Sequence, residues 1–330
     1  MPSLYHQPVD SLTWLLDSPD PAIRYQTLRD LTASPPEVVS GERARIPHEG
    51  LGARILAAQS QDGVWRRPDT PDWLPTLFMF QLLRATGADP DDPAIQSAVN
   101  RLEAGFRWHT SLGGKRFSEG ETEPCINGGV LAASCYFGHP SHALARRLLA
   151  EQLPDGGWNC DAPKSQRSSY HSTICVLEGL LEFEYAAGPA SPLTPLSAEA
   201  RIRAHEYLLE RHLFRHLSTG QPASPEFLQL AWPPRYHYDI LRALDYFRSI
   251  GLPAGPGMND AIQILESKRQ PNGRFLLEAS YDESLSFPWP EPIGQPSRWI
   301  TLRALRVLRW YRTQQLRVVT VRTRTNGASR

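Results

Sequence analysis

Two cysteines, an aspartate and a histidine carry side chains of the kinds that bind zinc: Cys125, Cys160, Asp161 and His171. Thiolate, carboxylate and imidazole are the usual ligands of that ion, and three of them leave a fourth position for water or substrate. The same residues admit a second chemistry, in which His171 activates Cys160 or Cys125 as a nucleophile. Cys135 and Cys175 fall within apolar segments and are expected in the core. Glu178 also falls within an apolar segment, where a carboxylate must either be raised in pKa or be bonded to a neighbour. Asp239, beside Arg235 and His237, can cap a helix or act as an acid in a cavity; Glu178 and Asp239 are the candidate catalytic acids. The rings of Trp73, Tyr170, Tyr236, His237, Tyr238 and Trp299 stand at or just before the starts of apolar segments. Trp108, Tyr136, Phe287 and Trp289 extend that set. Together they read as the lining of an apolar substrate cavity.

Elements that would position these side chains recur along the chain. LAAQSQDGVW, LAEQLPDGGW and LESKRQPNGRF each place a glycine and an aromatic after an amphipathic helix. The first two share Gln, three residues, Gly, one residue, Trp: Gln59, Gly63 and Trp65, then Gln152, Gly156 and Trp158. The third has Arg269 in the Gln position and Phe275 in the Trp position. Segments apolar on most of their circumference follow, beginning near Trp73, Cys125, His171, Tyr238 and Trp299, and read as inner helices. Three of them stop at Gly87, Gly138 and Gly251, the left-handed C-terminal stop. Polar-faced helices such as PAIQSAVNRLEAGF alternate with them, at a period of roughly 45 to 65 residues. The expectation is an all-α hairpin array over residues 1–312, with capping helices in 1–45 and a basic, frayed tail at 313–330. The Pro-rich and acidic stretch YDESLSFPWPEPIGQP is long enough to fold over a cavity mouth.

The Gln, Gly, Trp element resembles the QW motif of squalene-hopene and oxidosqualene cyclases, and the wider pattern is similar to bacterial squalene cyclase-like or prenyltransferase-like proteins. That resemblance spans Gln59 to Phe275 and implies an α/α toroid, a closed barrel of helical hairpins of the terpene cyclase and protein prenyltransferase β-subunit type. It implies an enzyme acting on an isoprenoid-like or other apolar substrate. Zinc is implied as well, because prenyltransferase β-subunits hold it through an Asp, a Cys and a His that opens an inner helix. Class II cyclases use a DxDD element as their acid, and Asp89, Pro90, Asp91 and Asp92 match it literally. These four residues lie in a turn between helices, where the carboxylates are expected to cap the second helix. One scaffold hosts unrelated chemistries, so a non-catalytic toroid that binds a partner on its concave surface is the alternative.

Composition limits the partners. Basic and acidic residues number 35 each, so no net field would draw the chain to nucleic acid or an anionic membrane. Only three lysines occur, leaving 32 arginines, an imbalance that codon usage explains equally well. The N-terminus lacks the basic and apolar regions of a secretory leader and no long uninterrupted apolar run exists, so the expected location is the cytoplasm, with thiols reduced.

Overall fold

The computed structural model describes residues 9–327, with side-chain surroundings for 11–315. Thirteen α-helices fill the described residues: α1 (Val9–Leu16), α2 (Pro21–Leu31), α3 (Pro36–Arg43), α4 (Gly50–Ala57), α5 (Trp73–Thr86), α6 (Pro93–Gly105), α7 (Pro124–Tyr136), α8 (His142–Ala150), α9 (Tyr170–Ala187), α10 (Leu193–Glu210), α11 (Ile240–Ser249), α12 (Pro256–Ser267) and α13 (Arg298–Gly327). Extended backbone among them is confined to isolated bridges. The segment 313–327, expected as a frayed tail, continues α13 as helix, and residues 328–330 lie outside the described residues. No helix among the described residues is long and apolar enough to cross a membrane.

Glycine and aspartate set the helix ends. Gly87 closes α5 at φ +78°, and Gly138 and Gly251 follow α7 and α11 at +87° and +66°, backbone that residues with a Cβ resist. Asp92 accepts from the amides of Ala94 and Ile95, so the last carboxylate of the DxDD match caps α6. The preceding Asp89 accepts from the Asp91 amide and sits 3.5 Å from Arg43.

The repeated Gln, Gly, Trp segments are one device built twice, with a third variant. Gln59 Nε2 donates to the carbonyls of Gly63 and Ala98, and Gln152 Nε2 to those of Gly156 and Ala200. Each glutamine thereby ties its turn to the next polar-faced helix. The indoles of Trp65 and Trp158, both fully buried, donate to the carbonyls of Ile55 and Leu148 at 2.7 Å. Backbone amides of Trp65, Trp158 and Phe275 donate to Thr76, Thr173 and Thr301, each one turn into the following apolar helix. A Cβ on Gly63 would meet the Arg101 carbonyl at 2.1 Å and one on Gly156 the Arg203 carbonyl at 2.6 Å. In the third copy Arg269 keeps two buried nitrogens without partners.

The apolar helices join pairwise. Gly129 on α7 leaves room for Gln81 on α5, and Gly128 and Gly179 let the backbones of α7 and α9 touch directly. Beyond α9 the joints become ionic. Arg242 on α11 grips Glu178 on α9, and Asp245 on α11 meets Arg303 and Arg306 on α13. Arg306 then reaches Gln26 and Asp30 on α2, and Gln26 donates to the carbonyls of Ala85 and Thr86 at the end of α5.

Candidate functional site

Those ionic joints surround a cavity of about 310 Å³, at the small end of the range for ligand pockets. Its wall carries Arg29, Arg84, Arg235, Arg242, Arg248, Arg303 and Arg306 against three carboxylates, Glu178, Glu182 and Asp245. Asp30 pairs with Arg306 and Glu283 with Arg235, yet the arginines still exceed these carboxylates by two. Asp245 alone holds three guanidiniums, those of Arg248, Arg303 and Arg306. Burial raises its pKa, but Arg306, Arg248 and Arg303 outweigh that and keep it far below the usual carboxylate range. Glu178 behaves alike: burial opposes its charge, and Arg242 and Arg84 hold it ionised.

One part of the wall is incompletely satisfied. Arg303 Nη1, Arg235 Nε and Trp232 Nε1 are buried without hydrogen-bond partners, and such donors are costly unless something accepts from them. Arg303 is 6% exposed and lies over the Trp232 ring at 4.9 Å. Trp232 is stacked on Trp299, with centroids 4.9 Å apart and planes at 14°. Arg235 lies over Phe78 at 4.8 Å, on a backbone held at φ +49°, a conformation that a non-glycine residue keeps only when its surroundings enforce it. The stretch expected to cover a mouth runs alongside: Leu285 lines the cavity, Glu283 pairs with Arg235, and Arg67 fixes the carbonyls of Asp282 and Leu285.

Asp239 is fully buried behind this wall and caps α11 through Oδ1, which accepts from the Arg242 amide at 2.8 Å. Oδ2 has no partner. Burial raises the group to a pKa of about 6, partly countered by Arg303. Glu178, by contrast, is committed to Arg242 through two bonds of 2.9 and 3.0 Å.

Of the six rings expected around a cavity, Trp299 lines this one. The others pack on one another or on neighbours. Trp73 meets Trp108, Tyr170 meets Tyr207, Phe227 and Tyr238, and His237 is sandwiched between Tyr236 and Tyr281. Hydroxyls of Tyr170 and Tyr238 donate to the carbonyls of Arg215 and Leu213, which fixes these two rings in place. The arginines of the wall, which sequence reading gave no functional weight, are the larger surprise. The available signal was their position: Arg84, Arg242, Arg303 and Arg306 stand among the apolar residues of α5, α11 and the first half of α13.

The four residues proposed as a metal set separate into a pair and two outliers. Cys125 at the start of α7 and Cys160 in the turn after Trp158 bring their sulfurs to 2.9 Å, and Ser172 Oγ lies 3.2 Å from Cys160. The third donor near them is Glu123, whose carboxylate accepts from Cys125 at 3.6 Å. Ligand atoms of Glu123, Cys125 and Cys160 all lie within 4.8 Å of one another, and neither Asp161 nor His171 belongs to that group. Asp161 is exposed. His171 Nδ1 accepts from the Tyr238 amide at 2.9 Å, and burial and Arg242 depress its pKa to about 4. Two sulfurs on one zinc stand about 3.8 Å apart at bond lengths of about 2.3 Å; here Cys125 and Cys160 come closer than that, and of the four expected ligands only these two converge. Cys135 and Cys175 are buried, as expected.

No protein-family model matches the chain, and no curated protein is similar to it.

Proposed function

We propose that α2, α5, α7, α9, α11 and α13 close as an α/α toroid whose central cavity binds a small organic anion with an apolar or aromatic body. The order of helix joints supports the closure, since it runs from α5 through α7, α9, α11 and α13 to α2 and back to α5. The observation that carries the ligand class is the excess of arginine on the wall, with Arg303 Nη1 and Arg235 Nε buried and unpartnered. Guanidinium forks suit phosphate and carboxylate groups. Phe78, Leu82, Trp232 and Trp299 line the cavity with apolar surface for the remainder of the ligand. The isoprenoid class implied by the Gln, Gly, Trp resemblance accordingly enters as a diphosphate ester rather than as a hydrocarbon. Zinc has no part in this reading.

The test is calorimetric titration of the full chain with inorganic pyrophosphate, a prenyl diphosphate and the corresponding prenyl alcohol. The diphosphates should bind and the alcohol should not. Arg303→Met should weaken diphosphate binding at least tenfold, because it removes one charge-assisted partner of about 1.5 to 3 kcal/mol. An alcohol that binds as tightly as its diphosphate would refute the proposal, as would wild-type protein that binds no anion.

A further inference from the structure

The sulfur contact at the start of α7 has a chemistry of its own, independent of the cavity. Cys160 is half-buried and reachable, Cys125 is 7% exposed, and the two belong to different elements 35 residues apart in sequence. A disulfide needs its sulfurs at about 2.05 Å, so closure from 2.9 Å requires a shift of about 0.9 Å, which the turn carrying Cys160 can supply. A metal centre would require the opposite movement, with the sulfurs spreading apart. From this geometry we infer that Cys125 and Cys160 form a dithiol site that undergoes reversible thiol–disulfide exchange with low-molecular-weight disulfides.

The roles follow from the surroundings. Cys160 is the attacking group, because it is the more exposed and has Ser172 Oγ at 3.2 Å to support a thiolate. Contact with Cys125 holds the Cys160 thiol below its ordinary range, against the effect of burial, and Ser172 adds to this. The Cys160 thiolate attacks one sulfur of the small disulfide, whose S–S bond breaks and releases one small thiolate. Cys125 then gives up its proton toward Glu123, which already accepts from it, and attacks the Cys160 sulfur. The Cys125–Cys160 bond forms and the second small thiol leaves. In sum the protein loses two hydrogens and the small disulfide is reduced to two thiols. The resulting cross-link ties the turn after Trp158 to the first turn of α7. Cys135 and Cys175 take no part, since both are buried within helices.

Fully reduced, chelator-treated full-length protein would be equilibrated with mixtures of oxidised and reduced glutathione, quenched with maleimide and mapped by peptide mass. The expected product is a peptide linking Cys125 to Cys160, two hydrogens lighter than its reduced parts and restored by dithiothreitol. Cys125→Ser should trap a glutathione adduct on Cys160, whereas Cys160→Ser should leave Cys125 unmodified. Circular dichroism confirms that each variant is folded before it is scored. Both cysteines remaining open to maleimide in excess oxidised glutathione would overturn the inference, as would an adduct that forms on Cys125 in Cys160→Ser. One zinc per chain in untreated protein, lost when either cysteine is replaced by serine, would also overturn it in favour of a metal centre.

Discussion

Replacing Gln152 with alanine tests the hairpin clamp at its centre. The side chain donates to the carbonyls of Gly156 and Ala200 at 2.7 Å and accepts from Arg203 Nε at 3.0 Å. The first two bonds are part-buried, and each is worth about 1 kcal/mol net. The third is exposed and adds little. Gln152→Ala is therefore expected to destabilise the protein by about 2 kcal/mol. Gln59→Ala should cost the same, since its amide makes the equivalent bonds to Gly63 and Ala98 at 2.9 Å. These clamps share no partner, so the double variant should lose about 4 kcal/mol. An unfolding entropy of about 2.1 cal/mol/K per residue over 330 residues gives about 0.7 kcal/mol/K, hence a fall in Tm of about 3 °C for each single variant. Urea unfolding followed by circular dichroism measures the change directly, provided the slope with denaturant stays constant. Gln152→Glu is the discriminating control. It keeps the shape but points a carboxylate at two carbonyl oxygens, so it must cost more than alanine. Glutamate tolerated as well as the native glutamine would refute the claim that donation to these carbonyls joins the hairpins.

Trp158→Ala removes a fully buried indole and its bond to the Leu148 carbonyl, and a loss of about 3 to 5 kcal/mol is expected by chemical denaturation. Gly128→Ala should be at least as damaging, because its Cβ would lie 2.4 Å from the Cys175 carbonyl; a folded variant with native Tm would contradict the direct contact of α7 and α9. His205 is held neutral by burial and by Arg201, with a pKa of about 3 against 6.5 when exposed. The unfolded chain therefore binds the extra proton below pH 6.5, and stability due to His205 is lost as pH falls from 6.5 toward 3, at about 1.4 kcal/mol per pH unit. Asp239 works in the opposite sense, since its raised pKa stabilises the fold below about 6. His205→Gln, which can still bond the Tyr246 hydroxyl, should flatten the acid side of a stability profile by the His205 slope, and an unchanged profile would refute the assignment.

The parts of the molecule that could be read in advance are those whose residue type is dictated by the backbone. Gly63 and Gly156 must lack a Cβ because a carbonyl occupies its place, and both sit at positive φ; that requirement made the repeat visible as letters. Helices α5, α7 and α9 were visible because they are buried nearly all round, which leaves no polar stripe. Side-chain direction is another matter. Tyr170 and Tyr238 sit at helix starts as expected, yet their rings turn into one cluster with Phe227 and are not among the cavity-lining residues, a meeting of separate elements, since Tyr170 opens α9 and Tyr238 precedes α11. Glu123 stands two residues before Cys125 and still went unnoticed, because its meaning depends on where Cys160 arrives. The arginines show the same limit from the energetic side. An arginine inside an apolar helix costs several kcal/mol unless it is paired, so Arg84, Arg242, Arg303 and Arg306 each announced a buried partner. Which partner each takes is set by the fold: Asp245, one turn beyond Arg242, pairs with Arg248, Arg303 and Arg306, while Arg242 takes Glu178. Charges on facing helices thus satisfy one another across a space that leucines in the same places would have filled. Ion pairs from α9 to α5 and α11, and from α11 to α13, line the cavity, whereas the glycines of α7 and α9 let those two backbones close on each other directly.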